Sequence, residues 1–241
     1  MKILAKVSYL GTNYHGWQIQ PNGLTVQEVI KNTLSKILNT PTKIYGSGRT
    51  DAGVHALNQA FHFELNKDFD LERLKYSLNS LLPDDISINS LDEVDDDFHA
   101  RFSAKRKHYQ YRINNKEKNP FIHQTSLYYP YPLDENLFVK ALELFKGKHN
   151  FQNFTSKEED EDNYVRTIYE TKVSFGETIN VDLIGDGFMR YMIRDIIGTC
   201  LAVASCKEKL TYITDRLDAN KNMHTAYRAS PEGLFLIDVI Y

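Results

Sequence analysis

Residues 3–9 (ILAKVSY) carry the alternating apolar and polar positions of an opening strand. Thr25 then opens a helix, with Glu28 three residues later as a capping box in which each side chain satisfies the other's free backbone N–H. Val26, Val29, Ile30, Thr33, Ile37 and Leu38 follow at helical spacing and form one apolar stripe. Lys43–Gly46 and Ala56–Leu65 read as strands, the second alternating through Phe61, His62 and Phe63. Leu71–Leu82 is helical and stops before Pro83, since proline disfavours helical backbone in the residue that precedes it. Ile86–Val94 closes the series as a strand, and the order β-α-β-β-α-β is that of a ferredoxin-like unit.

The second half reads as a rearranged version of the first. Arg106–Ile113 and Ser126–Tyr131 are strand-like, and Asp134–Phe145 is helical. Val165–Phe175 and Thr178–Ile184 form a hairpin around Gly176, Phe188–Ala204 is a long helix, and Leu234–Tyr241 is a closing strand. The fold class is therefore α+β, with two ferredoxin-like α/β halves and mainly antiparallel sheets. A seam in 95–104, after the acidic turn Asp95-Asp96-Asp97, divides the chain into an N-terminal half, 1–100, and a C-terminal half, 101–241. The acidic run 158–162 reads as a solvated loop without the glycine and ligand spacing of a calcium site.

Composition narrows the class. The 241 residues are 41% hydrophobic and 25% charged, which excludes disordered, collagenous and fibrous chains. Mean hydropathy is -0.47, and no apolar run reaches the roughly 18 residues of a membrane span. The start lacks an apolar segment of signal-peptide length, so it reads as the first strand of the mature fold, in a reducing cytoplasm. Cys200 and Cys206 are too few for a disulfide framework or a four-ligand zinc site and read as buried small hydrophobes. Lys+Arg 29 against Asp+Glu 32 gives a net charge of -3, so a polyanionic partner has to be met by local charge.

Chemistry concentrates in three segments. The first is GSGRTDAGVHA, residues 46–56, between two strands. Three glycines in eight residues permit tight backbone, but neither the dinucleotide fingerprint nor the Gly-Lys-Ser/Thr of a phosphate loop is present. Asp51 stands where a carboxylate would repel phosphate. Arg49, two residues before it, favours the ionised carboxylate, which can serve as nucleophile or base. The plainer reading is a turn aspartate making an Asx hydrogen bond. His55 reads as a brace for this loop, and Trp17 fits either a cap on the loop or a contact with a bound partner.

The second segment is FHARFSAKRKHYQYR, residues 98–112, with Arg101, Lys105, Arg106, Lys107 and Arg112 and no acid. On a strand, Lys107, Tyr109 and Tyr111 share one face. A tyrosine there can stack on a base in a pocket or simply belong to the core, and Tyr111 reads as core. The third is FMRYMIRDIIG, residues 188–198, whose apolar positions mark a buried helix face with Arg190 and Arg194 four apart at its edge. Arg194 needs a carboxylate or phosphate partner; Asp195 points elsewhere on such a helix, whereas Asp51 suits the role.

Together these segments resemble the tRNA pseudouridine synthase A family, over nearly the whole chain. The likeness starts at YLGTNYHGWQIQ (9–20) and runs through GRTDAGVHA (48–56), FHARFSA (98–104) and Phe188 to Arg194, ending at EGL (232–234). The resemblance implies a tRNA uridine isomerase acting at positions 38 to 40 of the anticodon stem-loop, with two α/β halves forming a central cleft. It implies that Asp51 begins cleavage of the glycosidic bond, either attacking the sugar or taking a proton from it. The uracil then turns and is rejoined through C5. Tyr109 corresponds to the tyrosine against the target base, Arg194 to the partner of the catalytic carboxylate, Leu234 to the apolar pocket lining, and Arg49 to an RNA contact.

The family uses no cofactor and no metal, works as a homodimer, and grips tRNA at the anticodon arm and the elbow, with no membrane partner. Arg49, Arg101, Lys105, Arg106 and Lys107 are the RNA-binding candidates. The alternatives are a synthase acting on another RNA or tRNA position, and a non-catalytic RNA-binding module. A glycoside hydrolase would need a second carboxylate facing Asp51, and none is evident.

Overall fold

A computed structural model describes residues 1–66, 69–156, 163–218 and 223–241; the acidic run 158–162 lies outside the described residues. The chain divides into two compact units, Met1–Lys105 with Phe235–Tyr241, and Arg106–Leu234. A linear cut at residue 100 cannot express this division, because the closing strand returns to the first unit.

In the first unit, β1 (Lys2–Tyr9) alternates buried and half-buried positions along its whole length, as its pattern requires. Its buried side carries Ile3, Ala5, Val7 and Tyr9. Helix α1 (Val26–Leu38) is capped by Thr25, whose side chain accepts from the Glu28 N–H. It buries Val26, Ile30 and Leu34, spaced four apart, and ends at Asn39 in left-handed backbone.

The short β2 (Tyr45–Gly46) leads to β3 (His55–Glu64). Helix α2 (Leu71–Leu81) starts at the Asp70 cap and stops with Leu82 extended before Pro83, followed by β4 (Ile86–Val94). Strand β1 is antiparallel to both β3 and β4. The other edge of β3 is shared. Gly46 and Tyr45 pair antiparallel with Phe61 and His62, while β10 (Leu234–Ile240) runs parallel, setting Phe235 against His55. Helices α1 and α2 pack on each other, and α2 packs on β4.

The second unit is built on β5 (Arg106–Asn114), with β6 (Leu127–Tyr128) parallel to its end. After α3 (Glu135–Glu143), capped by Asp134, come β7 (Gly147–Asn150), β8 (Val165–Ser174) and β9 (Ile179–Gly185). The hydrogen-bonded order β5-β9-β8-β7 is antiparallel throughout. Helices α4 (Met192–Ala204) and α5 (Thr211–Leu217) follow, with α3 packed on α4. Strands dominate both units and most pairings are antiparallel, so the α+β assignment holds.

The long helix is shorter than its apolar pattern suggests. It begins at Met192, because Tyr191 adopts φ 63 and left-handed backbone cannot continue a right-handed helix. Arg190 therefore precedes the helix, and the expected stacking of Arg190 over Arg194 on one face does not form. Cys200 is buried within α4, whereas Cys206 is exposed just beyond it with φ 57, not a core residue.

Candidate functional site

In the first unit the loop from Ser47 to Val54 is held from several sides. Gln59, fully buried on β3, is its central brace. The Gln59 carboxamide oxygen accepts from Ser47 Oγ at 2.7 Å and from the Ala60 N–H at 3.1 Å, and its amide donates to the Gly48 carbonyl at 3.1 Å. Two buried hydroxyls, Tyr9 Oη and Thr50 Oγ1, share a 2.8 Å hydrogen bond. The Trp17 backbone N–H donates to the Thr50 carbonyl at 3.1 Å, and the indole is buried between Tyr9 and Phe61. Trp17 thus caps the loop.

Asp51 sits at the turn of this loop, half-buried. Its carbonyl accepts from the Val54 N–H at 3.1 Å, a turn that Gly53 completes at φ 79. Gly16, at φ 85, lies so close beneath that a Cβ would stand 2.5 Å from the Thr50 carbonyl oxygen. His55 is fully buried, and its Nδ1 accepts from the Gly11 N–H at 2.9 Å, which leaves the ring proton on Nε2. It is a brace, as its place beside the glycine turn suggests. Arg49 is exposed on the same loop. The loop as a whole presents one carboxylate and one guanidinium from a backbone with little freedom.

Two further candidates of this unit lie in the turn before Lys105. Arg101 and Lys105 are both exposed, and the Arg101 guanidinium lies 5.7 Å from the centre of the Phe102 ring. The hydroxyl of Tyr14, beside the loop, donates to Asp85 at 2.5 Å, and burial together with this carboxylate pushes its pKa up.

In the second unit Tyr109 lies on β5, opposite Leu183 of β9, and is only 7% exposed. Its ring and that of Phe188 meet nearly at right angles, with centroids 5.3 Å apart. Tyr111, two residues along the same face, is a core tyrosine whose hydroxyl donates to the Ser230 carbonyl at 2.7 Å. The other face of β5 is polar. His108 Nε2 and Gln110 Nε2 both reach Asp182 Oδ1, at 2.8 and 3.1 Å. Arg106 is exposed with its guanidinium 4.9 Å from the Tyr169 ring centre, and Lys107 is half-buried.

Leu234 is buried, one residue after Gly233. A Cβ on Gly233 would stand 2.6 Å from Tyr111 Cε1 and 2.7 Å from the Arg112 carbonyl, so the chain reaches Leu234 by the closest approach β5 allows.

Every residue of α4 except Arg194 is buried. Arg194 Nε donates to the Ala229 carbonyl at 2.8 Å, and the Ala229 N–H returns a bond to the Arg194 carbonyl at 2.9 Å. Three guanidinium groups surround the Tyr191 ring, with carbons 3.9 Å (Arg228), 4.8 Å (Arg190) and 5.2 Å (Arg194) from its centre. Asp195 is buried and gripped by Arg228, so it does serve an arginine, but one from a distant part of the chain.

Sequence reasoning missed Arg228, Tyr191 and Gln59. One signal was available for the first: Gly198 interrupts an apolar helix, and a Cβ there would meet the backbone nitrogens of Arg228 and Ala229 at 2.9 and 2.8 Å. Among the described residues no three His, Cys, Asp or Glu side chains converge as a metal site requires, and no helix is long and apolar enough to cross a membrane.

An α+β chain with a braced aspartate loop in one unit, and a buried tyrosine strand and an arginine-bearing helix in the other, falls in the class of RNA uridine isomerases once its relatives are considered. Residues 5–103 and 141–241 match the family model described as tRNA pseudouridine synthase, and the chain belongs to that family. It is 39% identical over 241 residues to the tRNA pseudouridine synthase A of Thermoanaerobacter sp. (strain X514), covering 99% of each chain. It is 41% identical over 241 residues to tRNA pseudouridine synthase A 1 of Protochlamydia amoebophila (strain UWE25), covering 98% of this chain and 94% of that one. Among solved structures it is similar to a chain in the crystal structure of a Cbf5-Nop10-Gar1 complex, at 16% identity and a TM-score of 0.40, covering 83% of this chain and 45% of that chain.

Proposed function

We propose that this enzyme converts uridine to pseudouridine at positions 38 to 40 of the tRNA anticodon stem-loop, with Asp51 as its catalytic residue. The observation that carries the reading is the position of Asp51. It is half-buried at the turn of a loop whose backbone is fixed by Gln59, Tyr9, Trp17 and the glycines, in a chain of this family. A carboxylate held in this way needs little reorganisation to meet a sugar carbon or a sugar proton.

In this scheme Asp51 begins the cleavage of the bond between C1′ and uracil N1. The freed uracil turns, a bond forms between C1′ and C5, the C5 proton leaves and N1 takes up a proton, so the product is an isomer and nothing is consumed. Tyr109, Arg194 and Leu234 are the substrate-binding residues, with Tyr109 placed against the base and taking part in removal of the C5 proton. Stacking on such a ring offsets part of the few kcal/mol that extruding a base costs. Arg49, Arg101, Lys105, Arg106 and Lys107 contact the RNA backbone, which a shape-reading enzyme needs more than base-edge contacts. The enzyme acts as a cytoplasmic homodimer on the anticodon arm and elbow of its tRNA, without cofactor or metal.

The test is tritium release from tRNA labelled at uridine C5. Asp51→Asn abolishes release while tRNA binding stays within a few-fold of wild type; undiminished release removes Asp51 from the mechanism. Mapping pseudouridine in tRNA from cells carrying each form gives the positions. Sites elsewhere than 38 to 40 overturn the anticodon assignment.

A further inference from the structure

Besides the Asp51 loop, the first unit carries an aromatic array that no part of the catalytic scheme uses. Tyr45, on the strand just before that loop, stacks on His62 with ring centres 4.9 Å apart and planes 16° from parallel. His62 meets His99 at 4.7 Å, and His99 meets Phe102 at 4.4 Å. The inner member, His62, is 4% exposed, but the array opens outward. Tyr45 is 44% exposed and Phe102 is 77% exposed. A phenylalanine that leaves most of its surface in water gains little from the core beneath it.

The array is held in place by its own hydrogen bonds. The Ala100 N–H donates to His62 Nδ1 at 3.1 Å, and the Arg101 N–H donates to His99 Nδ1 at 3.1 Å. Ser103 Oγ accepts from the His99 N–H at 3.0 Å, and the Ser103 N–H donates to the His99 carbonyl at 2.9 Å. Phe102 is therefore presented by a pinned turn, and ordering it on binding costs little. Its neighbours are cationic. The Arg101 guanidinium lies 5.7 Å from its ring centre, and Lys43 and Lys105 are exposed at the two ends of the contributing segments.

Exposed π-faces beside cations on a rigid turn are what a single-stranded nucleic acid binds, bases on the rings and phosphates on the cations. We propose that Phe102 and Tyr45 form a stacking platform for an unpaired base of the RNA substrate, with Arg101 on the adjoining phosphate. The assignment rests on the proposed function for the identity of that RNA. The guanidinium and ammonium groups around the rings complement the phosphates of a nucleic acid, whereas an uncharged apolar surface would use only the rings.

The experiment measures the Kd of unmodified tRNA transcript for wild type, Phe102→Leu, Phe102→Tyr and Arg101→Met across a range of salt, with isomerisation of the same tRNA by wild type in parallel. Leucine keeps the apolar bulk without a π-face, so Phe102→Leu weakens binding about five-fold or more with the salt slope unchanged, and Phe102→Tyr stays within about two-fold. Arg101→Met weakens binding and lowers the salt slope by about one. If wild type isomerises the tRNA and Phe102→Leu binds within two-fold of it, the platform is overturned and the functional reading stands. If wild type neither binds nor isomerises the tRNA, the functional reading itself is overturned, together with the occupant assigned here. A change in the sedimentation of the RNA-free enzyme on Phe102→Leu, with RNA binding intact, reassigns the surface to a second copy of the chain and also overturns the platform.

Discussion

Arg228 grips Asp195 through two hydrogen bonds, Nε to Oδ1 at 2.5 Å and Nη2 to Oδ2 at 2.9 Å, with the carboxylate side chain only 3% exposed. Desolvation raises the Asp195 pKa, and the Arg228 hydrogen bonds and charge pull it back down. Arg228→Met takes from the buried carboxylate the partner that grips it and leaves only the weaker charge interactions of Arg194 and His224. The expected cost is about 3 kcal/mol, toward the lower end for such pairs because Arg228 is itself 41% exposed. The lost guanidinium lets the carboxyl pKa rise further. A raised folded-state pKa supplies stability that is full below the unfolded value and is lost as pH rises through the folded one. Chemical denaturation should therefore show a smaller deficit at pH 4 than at pH 7. An equal deficit at both would mean that Asp195 does not take up the charge.

Gln59→Leu keeps the volume of a buried side chain and removes the Gln59 hydrogen bonds to Ser47 Oγ and the Gly48 carbonyl. Losing these buried hydrogen bonds costs about 2 kcal/mol. Because the loop carries Asp51, the loss in single-turnover isomerisation should exceed the loss in tRNA affinity. A variant impaired in binding alone would show that the brace does not serve the carboxylate.

Gly233→Ala drives a methyl group into Tyr111 Cε1 and the Arg112 carbonyl oxygen. Backbone cannot give way as a flexible side chain can, and overpacking of this kind costs about 1–3 kcal/mol. The midpoint of urea denaturation should fall, and an unchanged midpoint would mean that β5 and the 231–233 turn part without strain.

His62 is lowered to a pKa of about 4, first by desolvation and then by His99 and Lys2. A histidine depressed in the folded state gives stability that is full above its unfolded pKa near 6.5 and is lost as pH falls toward 4. This one ring can contribute on the order of 3 kcal/mol between pH 7 and 4. His62→Asn, which cannot titrate, should melt with a weaker dependence on pH over that window than wild type. Parallel profiles would place the titration elsewhere.

Much of the fold was legible in the chain because its signals are local. Ile86–Val94 was read with its observed limits, Thr25 and Asp134 mark helix starts, and Pro83 marks a helix end. Short elements escaped. Strand β7 has four residues and α5 has seven, too few for a period to emerge. The start of α4 was misplaced because Phe188–Tyr191 continues the apolar stripe, and nothing in the type of residue 191 announces left-handed backbone. Among the candidate residues, Asp51 stands out through its glycines and Arg49. Arg228 and Gln59 did not, because each acts through partners far away in sequence or through a buried amide that looks like any other glutamine.

Strand β10 carries a further consequence. His55 and Ala56 find their parallel neighbours in Phe235 and Leu236, so more than half the chain intervenes between the two sides of one ladder. A ribosome synthesising this protein emits the whole of Arg106–Leu234 before this parallel partner of β3 exists. The edge beside the aspartate loop must wait, open, through most of translation, and a nascent chain stalled within the second unit would display it to any strand able to take the place.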